Sequence, residues 1–199
     1  MKILLIGASG TVGSAVKAEL SQRHEVITIG RKSGDFQVDI SNSTSIRKLF
    51  EQTGKFDALV CAAGSVNFMP LADMSAADFD LGLQDKLMGQ VNLLLIGREF
   101  ANDGASFTFT SGILNRDPIR TGASAALVNG ALDAFVKAAA IELPRGLRIN
   151  SVSPTVLLEA MGSYAAYFRG FKPVPAADVA LAYAKSVEGL QTGQAYNVG

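Results

Sequence analysis

The chain is poor in the residues from which metal and redox centres are built. Among 199 residues there is one cysteine, Cys61, one histidine, His24, and no tryptophan. A single thiol excludes an intrachain disulfide and makes a reducing cytoplasm the expected setting. One histidine with one cysteine cannot furnish a His/Cys metal site, so no metal is expected. Neither sign of charge is in excess: eighteen basic residues face eighteen acidic ones. That balance argues against a nucleic-acid partner. No apolar run approaches the ~20 residues that span a bilayer, so no membrane partner is expected. The opening Met1-Lys2-Ile3-Leu4-Leu5-Ile6-Gly7 is broken by glycine too early for a signal peptide.

What is present fits one compact fold. Hydrophobic residues make up 48% and charged residues 18% of the chain, enough apolar material for one sizeable core, and the length suits a single domain over 1–199. Short apolar runs alternate with helical spacing throughout. Ile3–Ile6, Val26–Ile29, Phe36–Ile40, Ala58–Cys61, Ser106–Phe109, Arg148–Val152 and Tyr196–Val198 read as strands. Helices are expected from Val12 to about Gln22, over Ser43–Gln52 with Ser and Thr as caps, from Phe79 to Phe100, from Gly122 to Leu143, and over Ala176–Val187. The second of the two long helices should stop at Pro144. This order predicts an α/β fold, a doubly wound parallel sheet with helices on both faces.

Gly7-Ala8-Ser9-Gly10-Thr11-Val12-Gly13 follows the first strand and opens the first helix. That is the context in which a glycine loop cradles a dinucleotide: Gly7 for a sharp turn, Gly10 for close approach to a pyrophosphate, Gly13 for tight helix–strand packing. The helix N-terminus adds free N–H groups and partial positive charge. The second strand ends Ile29-Gly30-Arg31-Lys32-Ser33, without an acid at its tip. An acid there would hold the ribose hydroxyls of NAD. Arg31 can instead pair with a 2′-phosphate, assisted by Lys32, so NADP(H) is the expected cofactor and NADPH is expected to bind better than NADH.

These features, in this order, resemble the short-chain dehydrogenase/reductase family over nearly the whole chain. Asp39-Ile40 is similar to the pair that contacts adenine in that family, and Cys61-Ala62-Ala63-Gly64 to its Asn-Asn-Ala-Gly. Ser111 matches its catalytic serine. Arg148 to Pro154 resembles the strand leading to the nicotinamide loop, which places Pro154 and Val156 beside the cofactor. The resemblance implies a Rossmann fold, hydride transfer to or from a small carbonyl or alcohol, and a homo-oligomer assembled through the two long helices. The face from Ala125 to Ile141 would serve that contact.

One motif of the family is missing. Counting from Ser111, its Tyr-x-x-x-Lys pair falls on Ser124 and Val128. An aliphatic hydroxyl is a far weaker acid than a phenol of pKa about 10, and valine cannot hold a ribose. Lys86 stands on the family's structural asparagine and could reach into the space of the absent lysine. Lys86, Ser111 and Ser124 are therefore the candidate catalytic residues. Tyr164 and Tyr167, in the expected lid, are alternative proton donors that read more readily as lid packing. Phe68, Met69, Ile113, Leu114, Met161 and Phe168 suggest a small apolar substrate pocket. His24 reads as a surface residue, Cys61 as an inert buried thiol. The competing reading is a non-catalytic NADP(H)-binding sensor or regulatory protein.

Overall fold

Ile3, Leu4 and Leu5 have no exposed surface and Ile6 has 1%, so the first strand is covered on both faces. The computed structural model, which describes all 199 residues, shows what covers it. Ile3 and Leu5 point toward Val16 and Leu20 of the first helix and Val179 and Tyr183 of the last. Leu4 and Ile6 point the other way, into a larger cluster with Phe50, Leu93, Phe107 and Leu132. Alternation of side chains along a strand makes one apolar run serve two cores.

The elements, in chain order, are β1 (Lys2–Ile6), α1 (Thr11–Leu20), β2 (Glu25–Gly30), β3 (Phe36–Gln37), α2 (Ser43–Thr53), β4 (Phe56–Cys61), α3 (Ala76–Leu81), a π-helical segment (Gly82–Leu87), α4 (Met88–Gly97), β5 (Ala101–Thr110), α5 (Ala123–Ala140), β6 (Arg148–Pro154), α6 (Met161–Tyr164), α7 (Ala176–Glu188) and β7 (Ala195–Val198). The seven strands form one sheet in the order β3-β2-β1-β4-β5-β6-β7, every pair parallel. This is the expected doubly wound Rossmann architecture. The winding reverses between β1 and β4, which opens a crevice at their carboxyl ends. No helix is long and apolar enough to cross a membrane.

Several boundaries differ from the sequence reading for identifiable reasons. β3 stops at Gln37 because the chain then turns into α2, the Asp39 N–H donating to Ser45 Oγ at 3.0 Å. The cap of α2 is Asn42, whose Oδ1 accepts from Thr44 N and Ser45 N; Ser43 is already helical. α5 ends at Ala140, not Leu143, because the ring of Pro144 obstructs the carbonyl four residues earlier. The first long helix is three segments, with a π-helical turn in its middle.

Close packing of α1 on β1 depends on Gly13. A Cβ there would lie 2.0 Å from the Gly7 carbonyl oxygen, whereas one at Gly162 would meet nothing within 4 Å. Gly13→Ala should cost about 1–3 kcal/mol through overpacking, and Gly162→Ala should stay within about 0.5 kcal/mol of the parent. Chemical denaturation of both variants checks this; equal midpoints would contradict it.

Candidate active site

The crevice at the reversal of strand order is a cleft of about 290 Å³ walled by Gly7, Ser9 and Gly10 on one side and Ala62, Ala63, Gly64 and Ser65 on the other. Its far end is closed by Arg31, Asp39 and Ile40, its near end by Asp85. Gly7 sits at φ +87°, and a Cβ on it would lie 2.7 Å from the Ala62 carbonyl oxygen. Only glycine lets the two loops approach this closely. No side chain caps α1 at Gly10, so the N–H groups of its first turn, at Thr11, Val12 and Gly13, are available to an anion. These three residues are not part of the cleft wall itself. A flat, phosphate-bearing ligand lying across the strand ends fits this shape.

At the far end, Arg31 Nη2 donates to Asp39 Oδ2 at 3.0 Å. Asp39 also accepts from the Ser41 hydroxyl and N–H, at 2.7 and 3.1 Å. The Ser41 hydroxyl and then the Arg31 guanidinium hold the Asp39 carboxyl below the usual carboxylate range. The absence of an acid at the tip of β2 is thus offset in space by Asp39, eight residues on. Arg31 spends one of its five N–H donors on this contact and its side chain remains 65% exposed. Lys32 does not join it: Lys32 is exposed, lies outside the cleft, and only its carbonyl is engaged, by Gln37.

The near end is organised by the π-helical segment. A π turn carries an extra residue and often marks a functional site. Here two successive side chains fan to different walls. The Asp85 carboxylate accepts from Ser65 N at 2.9 Å. The Lys86 ammonium turns inward, donating to the Ser111 carbonyl oxygen at 3.0 Å and to Asn129 Oδ1 at 2.8 Å. Its stem passes over Gly64, where a Cβ would lie 2.7 Å from Lys86 Cγ. Burial lowers the Lys86 pKa to about 8, while Cys61 and Asp133 oppose that shift. An amine so placed is a usable acid near neutrality.

The residue that meets Lys86 is Asn129, which sequence reasoning missed. Val128 is fully buried and packs against the π turn at Gly82. The signal was present: moving the family pattern Tyr-x-x-x-Lys-x-Gly-Leu one residue onward puts its leucine on Leu132 and its lysine on Asn129. Its tyrosine then falls on Ala125. The lysine of the contact thus lies on the π turn and its amide partner on α5. The Oγ atoms of Ser111 and Ser124 are buried without a hydrogen-bond partner. Ser124 Oγ lies beside Gly82 and Val66.

A third, small apolar cluster comprises Leu114, Ala125, Val156 and Phe168, with Ile113 and Met161 packed against it. Four of the six expected pocket residues, Ile113, Leu114, Met161 and Phe168, therefore meet, with Val156 among them, but they pack on one another; Met69 lies outside the cluster and Phe68 is exposed. Pro154 ends β6 outside the cleft wall. Tyr164 and Tyr167 are half exposed, and Tyr164 stacks edge-on against Phe168, as lid residues would. The thiol of Cys61 is fully buried and pushed up to about 12 by desolvation, hence inert. His24 is partly exposed, at 13% of its side chain, with Nε2 3.0 Å from Glu188 Oε1 at the end of α7.

A family model described as enoyl-(acyl carrier protein) reductase, of the short-chain alcohol dehydrogenase type, matches residues 10–192. The chain belongs to the short-chain dehydrogenase/reductase family. It is 56% identical to the protein lin1944 of Listeria innocua, with TM-score 0.99 and 100% of both chains covered. A small-chain dehydrogenase solved in complex with NADPH is 26% identical, with TM-score 0.87 over 100% of this chain and 96% of that one. A short-chain dehydrogenase/reductase of Stachybotrys chlorohalonatus is 31% identical over 129 residues, 60% of this chain and 51% of that protein. The chain thus spans about half the length of the curated relatives it first matches.

Proposed function

We propose that this chain is an atypical NADP(H)-dependent oxidoreductase acting on a small carbonyl or alcohol. The observation that carries the reading is the Lys86 ammonium, turned into the site between Ser111 and Asn129. Bound NADP(H) would supply or accept the hydride. The loop Gly7–Gly13 and the start of α1 would hold its phosphates, Asp39 and Ile40 its adenosine, and Arg31 its 2′-phosphate. Two of the three ammonium donors of Lys86 are engaged, leaving one to hold a ribose hydroxyl or to give a proton to the substrate oxygen. The unpartnered hydroxyls of Ser111 and Ser124 would orient that oxygen. The likeness to the NADPH-bound small-chain dehydrogenase supports the cofactor choice.

A second reading, an NADP(H)-binding sensor or regulator without turnover, is favoured by one observation. Ala125, on the tyrosine position of the shifted register, is buried within the third apolar cluster. A cytoplasmic homo-oligomer is proposed with either reading. Met88 and Leu95 lie two turns apart on α4 and are exposed, as are Leu81 on α3 and Leu127 on α5. A second copy would cover them. Light scattering should give a dimer or tetramer; a monomer at micromolar concentration would refute this part.

Calorimetric titration should show NADPH binding more tightly than NADH. Arg31→Ala should weaken NADPH by roughly tenfold or more, the scale of a lost charge-assisted contact, and leave NADH nearly unchanged; equal losses would overturn the cofactor assignment. Against a panel of small carbonyls, Lys86→Met should lose at least about a hundredfold in turnover, the usual worth of a general acid. A silent Lys86→Met would remove the lysine from the mechanism, and no turnover by the parent chain with NADPH bound would favour the sensor.

A further inference from the structure

Behind the site lies a buried carboxylate that the proposed chemistry does not use. Asp133 on α5 is 7% exposed. Its Oδ1 accepts from the Ser151 hydroxyl of β6 at 2.6 Å, and its Oδ2 from Asn115 Nδ2 at 2.7 Å. Both donors are neutral, and Asp133 has no ion-pair partner. A buried carboxylate satisfied only by neutral groups keeps a large uncompensated field.

The geometry shows where that field acts. Asn129 and Asp133 are one helical turn apart on α5, and both grip the short turn after β5. Asn129 Nδ2 donates to the Gly112 carbonyl at 3.2 Å, and Asn115, at the end of the same turn, donates to Asp133. Lys86 holds the start of this turn at the Ser111 carbonyl and touches Asn129. One continuous path therefore runs from the ammonium through Asn129 and residues 111–115 to the carboxylate.

We propose that Asp133 is a positioning residue, whose carboxylate fixes the 111–115 turn through Asn115 and supplies the counter-charge that keeps the Lys86 ammonium facing Ser111. The other titratable groups around Lys86 do not take this role. Cys61 on β4 would favour the ammonium only as a thiolate, and with its thiol held near 12 it is neutral where Lys86 titrates. Asp85, next to Lys86, directs its carboxylate to Ser65 in the cleft. Arg116, following Asn115, is turned to Ser153 Oγ at 2.6 Å and is of the wrong sign to stabilise an ammonium. Asp133 accordingly offsets part of the desolvation that draws Lys86 down to about 8.

The functional meaning rests on the role proposed for Lys86, but the test does not. Lysine labelled with 13C at Cε is titrated by NMR in the intact chain, with the Lys86 signal assigned by its loss in Lys86→Met. The midpoint should lie near 8 in the parent chain. Asp133→Asn is nearly isosteric, and the Ser151 hydroxyl can rotate to accept from the new amide. It should lower the Lys86 midpoint by about one pH unit, a tenfold loss of proton affinity, and Asp133→Glu should restore most of it. A folded Asp133→Asn protein with an unmoved midpoint would overturn the proposal. Should that variant fail to fold, Asp133→Ser carries the same measurement with the same two outcomes. A shifted midpoint together with a functionally silent Lys86→Met would uphold Asp133 as the counter-charge while discarding the catalytic role of Lys86.

Discussion

The approach of α1 to the end of β1 governs nearly everything at the carboxyl edge of the sheet. Gly13 stands against the Gly7 carbonyl where no Cβ could fit, and Gly7 stands against Ala62 in the same way. These two contacts bring three backbone segments together without side chains between them. The first turn of α1 can then face a ligand with its own N–H groups, and the loop after β4 can form the opposite wall. A wider separation would leave the anion-binding end of the helix in bulk water, where its partial charge is screened.

The fold was legible because its signals are local and repeated. The four apolar residues of β1 and the glycines after it identify a buried strand entering a helix, and the alternation that follows specifies parallel winding. Element ends were less legible, since they depend on single contacts such as Asn42 capping α2. In the site, the cleft residues from Gly7 to Gly10, Arg31, Asp39 and Ala62 to Gly64 were readable from order along the chain. The Arg31–Asp39 pair was not, because it forms only when β2 and the segment after β3 lie side by side. Asn129 was obscured by a register one residue out, and on a helix that error rotates the inward residue by about 100°.

The buried cation of the site is Lys86. Its ammonium arises from the π turn and meets an amide of α5, Asn129 Oδ1, at 2.8 Å. No tyrosine stands on α5, where Ala125 is buried in the third apolar cluster and the buried Ser124 hydroxyl has no hydrogen-bond partner. The proposed chemistry therefore takes its acid from Lys86 on the π turn.

The wide turn at Gly82–Leu87 is in effect one residue too many in a helix. Such an addition is an all-or-none event in a gene, unlike the gradual drift of a loop. Removing one residue there would tighten the turn to the α form and rotate the segment on one side of it by about 100° relative to the other. The direction of Lys86 is therefore tied to chain length within a single turn of helix.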